Sequence, residues 1–258
     1  MTVKRPITSI DVATLARSYN ILDYAGGLRD LLVHTYRGSN LDIYRKRDLH
    51  WLISEILLEQ YKGESTLKAK VVDLFIQQDV TAAFEIKVNK SRADFLTING
   101  QSKSFEIKSE LDNLQKLPKQ ISDYQAVFDY NYLVIDEKHY QKALQIIPAR
   151  YGVMVLHKQK LTEDRSAMPN TKLNTLAQLN LFTKKEFAQT FKVPGITKEE
   201  VLMNFEADEI NHWFKIMLKN RYAKRWQFLV SNQTKVHPID YQFFFQHNIA
   251  PEIIYGIS

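Results

Sequence analysis

Asp94, Glu106 and Lys108 are the residues whose types and spacing suit chemistry. Two carboxylates side by side on a sheet repel each other unless a cation lies between them. Hard oxygen ligands beside an ammonium group suit a Mg²⁺-like ion, which takes one or two carboxylates and fills its other positions with water and substrate phosphate. The Lys108 amine could then hold or polarise the attacking water. In outline this is equipment for hydrolysing a phosphodiester bond.

That grouping depends on how the chain turns between the two acids. The apolar runs Phe95 to Ile98 and Phe105 to Ile107 flank Asn99-Gly100, a dipeptide that tolerates the positive φ angles of a tight hairpin. Along the second strand Ser104, Glu106 and Lys108 face one way, while Phe105 and Ile107 face the core. A two-residue turn would place Asp94 opposite Phe105. A three-residue loop, Asn99-Gly100-Gln101, pairs Ile98 with Ser102 and brings Asp94 opposite Glu106.

At these residues the sequence resembles the PD-(D/E)XK nuclease superfamily, and an uncharacterised bacterial branch of it in particular. The matching residues are Asp94, Glu106-Ile107-Lys108, Ser109 to Asp112 and the run from Leu117 to Tyr124, within roughly residues 45 to 157. The resemblance implies that Asp94 and Glu106 bind the metal, Mg²⁺ or Mn²⁺, that the Ile107 carbonyl adds a ligand, and that Lys108 serves the nucleophile. The three-residue pattern draws its value from the strand, turn, strand and helix around it.

The sequence carries its own decoy. Asp73 precedes Glu85-Ile86-Lys87 with the same spacing, but only Asn89-Lys90 follows before the next strand, which leaves no room for a crossover helix. Glu85 has two readings. A two-residue turn over Asn89-Lys90 sets it opposite Asp94 on the same face; alternatively it is solvated and paired with a neighbouring lysine.

The elements that must position these groups read as α/β: a mixed central sheet flanked by helices, which the resemblance makes a restriction-endonuclease-like core, with a mostly helical C-terminal region. Residues 8 to 62 read as helical. Ser9 and Asp11 cap a first helix, Gly26-Gly27 separates it from a second ending near Gly38, and Asp48 caps a third, bearing Leu49, Leu52, Ile53, Ile56 and Leu57 at helical spacing. Glu55 lies off that stripe; the resemblance makes it the candidate acid on the helix before the hairpin, and amphipathicity alone makes it a surface glutamate.

A helix from Ser65 to about Gln78 and a strand from Ala82 to Val88 come next, then the hairpin. Pro118 suits the first turn of a crossover helix reaching about Phe128, with Ile121, Tyr124, Val127 and Phe128 as its apolar face. Gln120 sits early in it, where its amide either orients a carboxylate, the lysine or a phosphate, or faces solvent. Strands from Tyr132 to Ile135 and Gly152 to Leu156, joined by a helix near Lys138 to Gln145, imply parallel pairing.

Residues 163 to 170 read as an exposed linker, dividing a core of residues 1–162 from a helical region of residues 163–258. Asn211 to Pro238 holds six Lys or Arg and no acid, interleaved with Trp213, Phe214, Tyr222, Trp226 and Phe228. Cations neutralise phosphate and rings stack on unpaired bases, or else the rings face the core. Arg221, Lys224 and Arg225 are expected to form an exposed basic patch.

The 258 residues carry a net charge of +6, a mild bias toward polyanions, and no cysteine, which excludes disulfides and thiolate metal sites. No stretch of about twenty apolar residues occurs, so no membrane span is expected and a cytoplasmic location fits. The expectation is a metal-dependent nuclease whose partner is DNA or RNA, its oligomeric state open. The alternative is a catalytically silent module on the same scaffold, gripping nucleic acid or a protein.

Overall fold

A computed structural model of the chain describes residues 9–33 and 40–256, and the side chains from residue 11 onward. The roles expected of Ser9 and Gly38 fall outside them. The contacts divide the chain into two compact units, residues 77–227 and residues 1–76 with 228–258. This differs from a boundary near residue 162.

The discontinuous unit is helical. It holds α1 (Ser9–Ser18), α2 (Ala25–Val33), α3 (Lys46–Gln60) and α4 (Glu64–Phe75). Gly26 and Gly27 lie in the first turn of α2 and do not form a break before it. Asp48 sits in the first turn of α3, where its carboxylate accepts the Arg45 amide at 3.0 Å. The predicted apolar stripe of α3 is real: Leu49, Ile53, Ile56 and Leu57 pack with Val12, Leu15, Leu28 and Leu32.

The other unit is built on a six-stranded sheet in the order β1 (Thr81–Val88), β2 (Ser91–Ile98), β3 (Ser102–Lys108), β4 (Tyr130–Asp136), β5 (Gly152–His157) and β6 (Lys160–Arg165). The sheet is mixed. β1, β2 and β3 pair antiparallel, β3, β4 and β5 parallel, and β5 with β6 antiparallel. Two crossovers serve the parallel pairs, α5 (Leu117–Gln125) and α6 (Tyr140–Leu144). β6 takes in Glu163, Asp164 and Arg165, which the sequence reading gave to a linker; His157 and Lys160 close the hairpin that recruits them.

Helices cover both faces of the sheet. Leu117 and Ile121 of α5 and Ala143 of α6 pack on Leu133, Ile135 and Val153. On the opposite face a row of rings crosses four strands, Phe84, Phe95, Phe105 and Tyr132, each within 6.0 Å of the next between centroids. Gly152 is the small residue that this row requires, because a Cβ there would lie 2.2 Å from the Tyr132 ring.

After β6 come α7 (Thr175–Leu179), α8 (Lys184–Phe191), α9 (Lys198–Asn204) and α10 (Ala207–Ser231). Trp226 of α10 packs on Phe95, and Phe214 on Phe128. The chain ends with α11 (Tyr241–His247) and α12 (Pro251–Tyr255), in the unit formed by α1 to α4. No helix among the described residues is long and apolar enough to cross a membrane.

Candidate active site

The hairpin turns through Asn99-Gly100-Gln101, with Gly100 at φ +66°, and Ile98 pairs with Ser102 as the three-residue loop requires. Backbone pairing runs back to Phe95 and Phe105 and stops there. One residue further along, the Asp94 carboxylate accepts the Ile107 amide at 2.7 Å. A side chain thus takes a hydrogen bond that a neighbouring carbonyl makes elsewhere in a ladder, and β2 and β3 part at the acids. The contact Ile107 makes here is through its N–H.

The face carrying Glu106 and Lys108 is not open to solvent. α5 lies over it, leaving Glu106 1% and Lys108 9% exposed. Lys108 Nζ and Gln120 Nε2 both donate to Glu106 Oε1, the second at 2.5 Å, and the Tyr124 hydroxyl donates to Oε2 at 2.8 Å. Gln120 and Tyr124 are one helical turn apart, so both side chains hang from the same face of α5.

Burial pushes the Glu106 carboxyl above its ordinary value, against the pull of Lys108, Tyr124 and Gln120. For Lys108 burial works against the charge, but Glu106, with Asp94 and Asp112 behind it, outweighs burial and holds the amine above its usual value. Phe95 and Phe105 pair and share one face, so their neighbours Asp94 and Glu106 lie on the other. Asp112 is fixed by the Ser109 amide and hydroxyl at 2.8 and 2.6 Å, in the turn that ends β3.

Glu85 stands where the two-residue turn over Asn89-Lys90 puts it, since Phe84 pairs with Phe95 and Ile86 with Ala93. Its φ is +58°, a conformation that costs a non-glycine residue on the order of 1 kcal/mol. An oxygen of Glu85 lies within 4.8 Å of one on Asp94. Glu85 also pairs with Arg92, at 3.7 Å. Gln120, whose amide nitrogen meets Glu106, has its Oε1 buried without a hydrogen-bond partner. Carboxylates and an orphaned amide oxygen are a hard donor set of the kind Mg²⁺ or Mn²⁺ takes. Three of the roughly four acceptor positions of Glu106 are filled, so its capacity for a further ligand is small.

Gln120 also lines a cleft of about 690 Å³ together with Lys87, Lys90, Arg92, Lys116 and Lys119. All five cations are exposed. Lys119 is paired with Asp123 at 3.0 Å, and Asp123 also accepts from Ser91 at 2.6 Å, which ties α5 to the start of β2. The basic surface nearest the acids therefore comes from the β1–β2 turn and the start of α5.

Glu55 is exposed in the middle of α3, in a different compact unit from Asp94, Glu106 and Lys108. Lys224 and Arg225 are exposed on α10, but Arg221 is not part of an open patch: its guanidinium grips Glu186 at 2.6 and 2.7 Å and the Leu181 carbonyl at 2.7 Å. Phe214 and Trp226 are core residues, 0% and 2% exposed. The decoy acid Asp73 lies in α4, bonded by the Tyr241 hydroxyl at 3.1 Å. His157, at the end of β5, pairs with Glu137. Sequence reasoning missed Tyr124, counted as apolar, and the cleft lysines; the Gln120/Tyr124 spacing was the available signal.

No curated protein matches the chain. Among solved structures, a protein of unknown function from Silicibacter pomeroyi is similar at 17% identity over 54% of this chain and 89% of that chain, with a TM-score of 0.35. The family model described as bacteriophage P4 protein cII matches residues 57–244, which take in the whole sheet, α5 and α10. A match over well more than half of its residues shows that the chain belongs to the bacteriophage P4 protein cII family.

Proposed function

We propose that the chain is a divalent-metal-dependent nuclease, hydrolysing phosphodiester bonds of DNA or RNA. The observation that carries this reading is the buried Lys108–Glu106 pair, sharing its side of the sheet with Asp94 and joined through Gln120 to a cleft lined by five cations. Asp94 and Glu85, with the free oxygen of Gln120, would hold Mg²⁺ or Mn²⁺, and Glu106 would contribute its remaining acceptor position. A divalent ion held there supplies an acidified water and neutralises charge on the phosphoryl oxygens.

The chain's own residues bind and orient. Lys87, Lys90 and Lys116 offer ammonium groups to the phosphates of a strand lying in the cleft. Lys108, held charged by its acids, stabilises negative charge beside the attacked phosphorus. Tyr124 and Gln120 fix the Glu106 carboxylate against rotation. Incubating the protein with labelled single- and double-stranded DNA and RNA in Mg²⁺, Mn²⁺ or EDTA tests this. Cleavage that needs the metal and disappears in Asp94→Ala, Glu106→Ala and Lys108→Ala supports the reading. Wild type that binds these substrates and cleaves no better than the variants overturns it.

One observation favours a second reading, a silent binding module: Glu106 is met by three donors, as in a structural ion pair. In that case the cleft still binds polyanions and no metal changes the substrate.

A further inference from the structure

A second cavity, of about 500 Å³, lies between α8 and α10 and shares no lining residue with the lysine cleft. Its walls include Trp213, 38% exposed, with Ile216 and Met217 beside it. Lys185, Gln189, Lys192 and Asn220 stand around it. The single acid there, Glu186, is neutralised by Arg221 and capped by Thr183, which holds its carboxyl down at about 2. The cavity is therefore net positive through Lys185 and Lys192.

A half-exposed indole, two side-chain amides and two ammonium groups match one kind of ligand in particular. A heteroaromatic base stacks on the indole, its edge exchanges hydrogen bonds with amides, and the phosphates flanking it meet the lysines. Within duplex the base faces are already stacked and the edges paired, so the base must be unpaired. We propose that this cavity seats an unpaired base of single-stranded nucleic acid on Trp213. The site is separate from the acids and concerns binding alone, so it goes beyond the nuclease reading and does not require it.

The test is fluorescence anisotropy of the full chain with a labelled thymidine strand of about a dozen nucleotides, a length within the usual span of such sites, in EDTA so that cleavage plays no part. The same strand made abasic and a duplex of equal length serve as comparisons. Trp213→Leu is expected to weaken binding of the strand about tenfold or more, Trp213→Phe much less, because phenylalanine keeps a π-face. Removing the bases should weaken wild type by a similar factor and leave Trp213→Leu unchanged. The Lys185→Ala/Lys192→Ala protein should show a salt slope shallower by about one to two.

Near-UV circular dichroism checks that each variant is folded; if the leucine variant is not, the abasic strand on wild type and the phenylalanine variant decide. Binding that ignores both the loss of bases and the loss of the indole overturns the proposal. So does failure of wild type to bind the strand at all, whereas absent cleavage in Mg²⁺ alongside intact binding counts against the nuclease reading alone.

Discussion

The Tyr124 hydroxyl donates to Glu106 Oε2 at 2.8 Å, joining the crossover helix to the strand that begins the crossover. The carboxylate is 1% exposed, so no solvent can replace that bond. Tyr124→Phe should therefore cost about 1–3 kcal/mol of stability, the usual penalty for stranding a buried acceptor. Urea denaturation at neutral pH measures it. A variant as stable as wild type would mean that Glu106 is already satisfied by Lys108 and Gln120.

Lys108 and Glu106 form a buried ion pair, and such pairs punish the loss of one partner more than the loss of both. Lys108→Met should destabilise by about 3–5 kcal/mol, because it strands the buried Glu106 carboxyl without its cation, to stay uncompensated or take up a proton. Adding Glu106→Gln should recover part of that loss. Chemical denaturation of the two single variants and the double variant closes the cycle; strictly additive losses would argue that the side chains do not interact.

Asp94 has two separable jobs, accepting the Ile107 amide and carrying charge toward Lys108 and Glu85. Asp94→Asn keeps an acceptor oxygen and removes the charge. It should stay within about 1 kcal/mol of wild type in stability, the size of one net hydrogen bond, while Mn²⁺ binding measured by titration calorimetry falls at least tenfold. Asp94→Ala should lose both. Unchanged Mn²⁺ affinity in the asparagine variant would place any metal elsewhere.

The helical unit has its own titration. Asp240 accepts from Tyr255 at 2.8 Å and from Tyr19 at 3.1 Å, and burial lifts its carboxyl from 3.8 to about 7. Between those values the folded chain keeps a proton that the unfolded chain releases, so this group takes stability away as pH rises across the window. His50 and His237 act oppositely: burial holds them at about 3 and about 4, and their contribution grows as pH rises toward 6.5. Asp240→Asn removes only the first effect. Its melting temperature relative to wild type should rise from pH 4 to pH 7.5, and a difference that is flat or falls would show that Asp240 ionises normally.

What the sequence determined by itself was whatever depends on neighbours along the chain. The side-chain period of a strand sent Glu106 and Lys108 to one face, while the choice between a two- and a three-residue loop stayed open in the sequence and was made by the pairing of Ile98 with Ser102. The two-residue turn at Asn89-Lys90 was one of two readings offered for Glu85, and the pairing of Val88 with Ser91 is the one found. The apolar stripe of α3 and the proline at the head of α5 declared those helices. Such features are decided by steric and hydrogen-bonding choices over a few residues, and they leave a mark in spacing.

Only the tertiary structure decided what each polar group meets. Tyr124 reads as apolar because its ring is buried, and nothing local says that its hydroxyl ends on a carboxylate. Arg221 reads as a surface cation until α8 brings Glu186 within 2.6 Å. Residues 163 to 165 read as linker because their strand is polar and exposed, held by pairing to β5 more than by burial. The lysine cleft joins residues 87–92 to residues 115–120 across the hairpin. Burial and pairing between distant segments set these outcomes, and the free energy of a buried charge depends on which partner arrives, a fact of packing that residue spacing does not encode.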